Sequence, residues 1–142
     1  MTETKRKVLI VSAITIFAFL CPPLGQVGKV AAQEETNLPT VQTAAICERV
    51  EDRTPLGIRQ IYPSNIGTLY CFNHLTEIPL EGMIYHVWYY GNVEIARVEL
   101  SISPPQWRTW SSKIILPEWK GDWKVEIIYE DYVLKTLTFA IQ

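Results

Sequence analysis

From Trp123 to Tyr129 the chain alternates: Trp123, Val125, Ile127 and Tyr129 are apolar, while Lys124 and Glu126 between them are charged. Period two over this length predicts a β-strand with one buried face. Gly121, having no Cβ to clash, lets the chain turn in just before it. Glu130-Asp131-Tyr132 reads as a tight turn, and a returning strand from Val133 to Ile141 keeps Leu137, Phe139 and Ile141 in phase. Two strands joined this closely predict a β-hairpin. Upstream, the segment Val93 to Ile102 sends Val98, Leu100 and Ile102 one way and Arg97, Glu99 and Ser101 the other. Met83 to Tyr90 is apolar in both phases, with Tyr85, Val87 and Tyr89 opposite Ile84, His86, Trp88 and Tyr90. Such a strand is either central and covered or keeps one side free for a ligand. Gly91-Asn92 between these two segments is a hairpin signal.

The stretch from Trp107 to Tyr129 holds four of the five tryptophans. Trp107 and Trp110 are three apart, so a regular strand puts them on opposite faces; either a bulge realigns them or one indole ring is partly exposed. Earlier, Val41 to Val50 and Ile66 to His74 read as strands. Asp and Pro in RVEDRTP (49–55) mark a turn or loop, residues 56–65 are irregular, and Pro79 to Gly82 is another turn. No helical periodicity or repeat interrupts the series. About seven short strands, with turns every 8–12 residues, predict a single all-β domain, an immunoglobulin-like antiparallel β-sandwich over 43–142. A true immunoglobulin domain would place its Trp between its cysteines, whereas the order here is Cys47, Cys71, Trp88.

The first 32 residues read differently. Lys5-Arg6-Lys7 precedes an apolar run from Val8 to Leu20, and Val30-Ala31-Ala32 offers the small residues a signal peptidase requires. Residues 1–32 are read as a cleaved signal peptide and 33–42 as a flexible lead-in, placing the domain in the periplasm or outside the cell. The run is short of the ~20 residues of a membrane span, so no stable span is expected after cleavage. Two alternatives stay open: acylation of Cys21, against which the bulky Leu20 stands, and retention of the segment as an anchor. Of 13 basic and 15 acidic residues, cleavage removes Lys5, Arg6, Lys7, Lys29 and Glu3, leaving 9 and 14 and a net charge of −5. That balance argues against a nucleic-acid partner.

Two cysteines remain, Cys47 and Cys71. In an exported chain they predict a disulfide closing a loop of about 24 residues, worth about 3 kcal/mol on the chain-entropy model. Buried free thiols are the alternative.

Several segments together resemble the bacterial domain-of-unknown-function family 2914: CERVEDRTP (47–55), LYCFNHL (69–75), YHVWYYG (85–91), QWRTWSSK (106–113) and LPEWKGDWKVEI (116–127). The likeness covers about residues 43–142. Tyr132 stands where the family has a glycine in its last hairpin turn, and Cys71 where it more often has an aromatic residue. The resemblance implies an exported or membrane-associated bacterial domain and brings no reaction with it.

Catalytic chemistry finds little footing. Ser111 and Ser112 lack a nucleophile-elbow pattern, and the two histidines, His74 and His86, stand apart from any zinc-ligand spacing. No catalytic residue, metal or cofactor is expected. Glu118 and Asp122 beside Trp119 and Trp123 suggest a glycosidase pair only weakly in so small a sandwich. Binding remains. Trp107, Arg108, Trp110, Lys113 and Trp119 combine flat apolar rings with cationic donors, and His86, Trp88 and Tyr90 form a second candidate face. The expectation is a non-catalytic envelope module that engages another protein or a second copy of itself. A carbohydrate-binding module using exposed indoles comes second, and a small hydrolase a distant third.

Overall fold

The computed structural model describes residues 37–142; the expected signal peptide and the start of the lead-in lie outside the described residues. Ten strands follow: β1 (Thr40–Cys47), β2 (Arg49–Glu51), β3 (Thr54–Leu56), β4 (Ile61–Tyr62), β5 (Thr68–Thr76), β6 (Gly82–Tyr90), β7 (Val93–Ile102), β8 (Trp107–Ile114), β9 (Gly121–Tyr129) and β10 (Tyr132–Ile141). They form a three-stranded sheet, β1-β5-β8, a five-stranded sheet, β4-β10-β9-β6-β7, and the small β2-β3 hairpin. The result is an all-β, immunoglobulin-like sandwich. Among the described residues no helix is long and apolar enough to cross a membrane.

The alternation decides which faces meet. Trp123, Val125, Ile127 and Tyr129 on β9 are buried, as are Ile84, His86 and Trp88 on β6 and Leu69, Cys71 and Leu75 on β5. Phe139 of β10 lies against three of the largest core rings. It stacks on Trp123 at 5.7 Å and 24°, and meets Trp88 and Tyr62 edge-on at 6.4 and 6.2 Å. Offset and edge-to-face contacts of this kind add to what burial alone contributes.

The seven long strands are the ones the periodicity predicts. The remaining three correct it. The expected strand from Val41 to Val50 breaks at Glu48, and the segment read as a loop folds instead into the β2–β3 hairpin. Its two-residue turn, Asp52-Arg53, has φ of 48° and 57°. Positive φ at both positions suits the twist of a tight hairpin. Tyr62, in the segment read as irregular, pairs with Ile141, and β4 runs parallel to β10, so one pair departs from the antiparallel expectation. The last hairpin turn puts its positive φ on Glu130 (52°), leaving Tyr132 free to open β10 without a glycine.

The disulfide expectation is also corrected. Both cysteines are free and buried. β1 and β5 do pair antiparallel, but the register sets Ile46 against Cys71 and Cys47 against Tyr70. One residue of offset puts the two thiols on opposite faces of the ladder. Cys71 joins the core, while Cys47 is fully buried at the end of β1, outside that cluster. Burial pushes the Cys47 thiol up to about 11 and raises that of Cys71 as well, which keeps both protonated and unreactive at neutral pH. The native chain therefore shows the same mass with and without reductant, and both thiols take up an alkylating reagent only after unfolding. Prompt labelling of the native protein, or a mass two daltons lower before reduction, would contradict this packing.

Candidate functional site

Strand β5 shows two different faces. Its odd positions enter the core, and its even positions, Phe72 and His74, point outward. Register lines them up across the small sheet: Thr43, His74 and Arg108 in one row, and Ala45, Phe72 and Trp110 in the next. The Phe72 and Trp110 rings stack at 6.5 Å and 19°. The tip of the β2–β3 hairpin brings Arg53 to the same place. Arg53, His74, Gln106, Trp107 and Arg108 line a cleft of about 320 Å³. A smaller one of about 130 Å³ adjoins it, sharing Arg53, His74 and Arg108 and adding Thr43, Thr54, Pro55 and Phe72. His74 is nearly buried, and its Nε2 lies 2.9 Å from Gln106 Oε1, which only accepts; Nε2–H therefore donates.

The electrostatics of the two outer faces differ. On the five-stranded sheet Arg97 and Lys124 are each paired with a carboxylate, while Lys135 of β10 is exposed and in no ion pair among the described residues. Arg97 bonds Glu94 at 2.9 Å and lies 5.8 Å from the Tyr85 ring centre. Lys124 bonds Glu126 at 3.1 Å and sits 4.4 Å over Tyr89. Val87, the apolar member of that outward phase, is fully buried, flanked by Arg97 and Glu126 on the neighbouring strands. On the three-stranded sheet, neither Arg53 nor Arg108 has a carboxylate within ion-pair distance among the described residues, and both are exposed. Trp107 and Trp110 beside them are 42% and 38% exposed.

The residues predicted from sequence therefore fall into three groups. Trp107 and Arg108 line the cleft, and Trp110 lies beside it, stacked on Phe72 of the adjoining smaller one. The β5–β8 ladder has no bulge, so the tryptophans do belong to opposite phases; Trp107, the first residue of β8, nevertheless lines the cleft at the strand's end. Lys113 and Trp119 form a separate pair, the ammonium 5.4 Å from the ring centre. Trp119 is half-buried against Tyr90 and Trp123.

His86 and Trp88 face inward and are fully buried, which corrects their expected place on a binding surface: they share the phase of Ile84, and that phase meets the opposite sheet. Trp88 Nε1–H donates to Ser111 Oγ at 3.1 Å, and Ser111 Oγ lies 2.8 Å from His86 Nδ1. His86 Nε2 lies 2.6 Å from Asn73 Oδ1. With Nε2–H donating to Asn73, Nδ1 accepts from the serine hydroxyl and every ring nitrogen is used. Burial lowers the His86 pKa from 6.5 to about 4, holding the ring neutral. Serine, histidine and asparagine in hydrogen-bond series resemble a nucleophile–base–orienter set. Here Ser111 is only 5% exposed and the other two residues are closed off, so the set lies inside the core and is not open to substrate. Asn73 Nδ2 is left without a partner among the described residues.

Arg53, Phe72, His74 and Gln106 were not singled out from sequence. Phe72 and His74 carried a faint signal, since both phases of LYCFNHL hold large residues. Arg53 carried none beyond its turn. Among the described residues no three His, Cys, Asp or Glu side chains gather as a metal site would require.

The model of a family described as a protein of unknown function, DUF2914, matches residues 81–141. The resemblance read from YHVWYYG, QWRTWSSK and LPEWKGDWKVEI stands over that span, and the two earlier motifs precede it. No curated protein matches the chain. Among solved structures, an immunoglobulin-like protein from Pseudomonas aeruginosa is similar at a TM-score of 0.51 and 10% identity, over 74% of this chain and 97% of that one. That likeness is one of fold.

Proposed function

We propose that this immunoglobulin-like domain, whose residues 81–141 match a family of unknown function, is an exported module of the cell envelope that binds a protein partner. The site is the outer face of the three-stranded sheet. One observation carries this reading: Arg53 and Arg108 stand unpaired in a cleft with the part-exposed Trp107, and Trp110 lies nearby on Phe72, while Arg97 and Lys124 of the opposite outer face are paired with Glu94 and Glu126. Arginine and tryptophan in such a setting are the residue types that anchor protein interfaces. Export rests on the amino-terminal pattern alone.

The carbohydrate reading has less support. A sugar-stacking platform needs two open, roughly coplanar indole faces. Here one face of Trp110 lies on Phe72, and Trp119 is packed against Tyr90, Trp123 and Lys113.

A photo-crosslinking residue at position 110 tests the assignment when compared with one at position 99, on the opposite outer face. Position 110 is expected to give a discrete adduct in intact cells, identifiable by mass spectrometry and lost on Arg108→Ala; position 99 is expected to give none. Equal yields from the two positions, or an adduct indifferent to Arg108→Ala, would remove the cleft as the site.

A further inference from the structure

Resting on that reading, we infer that the cleft is a carboxylate receptor, and that its occupant is an acidic, extended peptide segment of the partner. The cleft offers two guanidinium groups, Arg53 from the hairpin tip and Arg108 from β8, lining one cavity without a bound counter-charge from the described residues. A guanidinium presents a planar fork of donors that matches a carboxylate with two parallel hydrogen bonds. Both arginines are raised on backbone that fixes their positions. Arg108 is locked opposite His74 in a ladder without bulges, and Arg53 is held in a two-residue turn.

Size and shape select the peptide over a polyanion of sugars. A cavity of about 320 Å³ takes one or two side chains, with Trp107 at hand for the aliphatic part of a glutamate. The two arginines line a single small cavity, which suits one or two carboxylates better than a long charged polymer. Charge supplies discrimination. The chain beyond residue 32 carries a net −5, so an acidic segment is repelled by the body of the domain and favoured at this cleft. That pattern limits where the segment can dock as well as how strongly.

The test is titration of the native chain with synthetic hexapeptides, followed by tryptophan fluorescence and calorimetry. One peptide ends in two glutamates with a free terminus, a second is the same peptide amidated, a third replaces both glutamates by glutamine with the terminus free, and a fourth carries lysines. Binding of the first, absent for the lysine peptide and weakened several-fold by raising salt from low to physiological strength, is the expected result. The second and third peptides tell side-chain carboxylates from a terminal one. Arg108→Gln and Arg53→Gln are each expected to weaken binding by about 10- to 100-fold, as loss of a charge-assisted hydrogen bond does. Arg97→Gln, on the opposite face, leaves it unchanged, and unaltered circular dichroism shows that each variant is folded.

Binding of the lysine peptide, equal binding by the Arg108→Gln chain, or preference for an oligogalacturonate over every peptide would overturn the inference. No binding of any acidic peptide by a chain that still crosslinks from position 110 would also overturn the carboxylate assignment, while leaving the partner-binding reading in place. Loss of both signals defeats the two together.

Discussion

Trp88→Ala is expected to lower the unfolding free energy by about 3–5 kcal/mol, the range for removing a fully buried large aromatic side chain. Against a total of about 5–15 kcal/mol for a domain of this kind, that is a large fraction. Trp88 has no exposed surface, meets Phe139 edge-on and donates its indole N–H to Ser111. Its loss opens a cavity between the sheets and also strips Ser111 of a donor. Trp88→Phe restores part of the ring volume but still leaves a smaller cavity and loses the hydrogen bond, so its expected cost is intermediate, about 2 kcal/mol. Trp107→Ala and Trp110→Ala serve as the comparison. Both rings are more than a third exposed, so each is expected to cost about 1 kcal/mol or less, as surface substitutions do. Urea unfolding followed by far-UV circular dichroism measures all four without relying on the fluorophore being changed. Equal losses at positions 88 and 107 would mean that the indoles are not divided between core and surface as described.

That division was only partly visible in the sequence, and the reason is physical. Period two reports that successive residues face opposite ways; it does not report which way is in. For β9 the question answers itself, because Lys124 and Glu126 cannot share the core with Trp123 and Val125. For β6 both phases are apolar, and only the pairing with β9 and β7 shows that Trp88 is interior and that Val87 is buried on the opposite, outward-facing side. β5 poses the same ambiguity, so neither His74, which lines both clefts, nor Phe72, which lines the smaller one, was read as part of a binding site. The cysteine pairing failed on register. Two thiols on adjacent antiparallel strands face each other or turn apart according to a single residue of offset, which spacing along the chain does not encode. The short strands β2, β3 and β4 span two or three residues each, too few to establish any period. The cleft depends on the first two of them. Arg53 and Arg108 are 55 positions apart in sequence, and nothing local marks either as unpaired, because the lack of a counter-charge is a property of the assembled surface.

The buried histidine leads to a second large effect, with a definite sign. His86 has its pKa lowered from 6.5 to about 4 by burial, so as pH falls the unfolded chain takes up a proton well before the native one does. Its contribution to stability is complete above about pH 6.5 and is lost progressively as pH falls from there to about 4, below which both states are protonated. The shift corresponds to roughly 3 kcal/mol over that window. Between pH 6 and 5, before most carboxylates begin to titrate, the expected slope from this group is about 1 kcal/mol per pH unit. His86→Gln removes the titration and keeps an amide able to reach Ser111 or Asn73. The variant is expected to be less stable at pH 7, because the hydrogen-bond series from Trp88 to Asn73 is disturbed. Its stability is nevertheless expected to fall less steeply with acid, so the two chains converge toward pH 4. Unfolding curves at a series of pH values decide the matter, and parallel profiles for the two chains would show that His86 is not held neutral between the sheets.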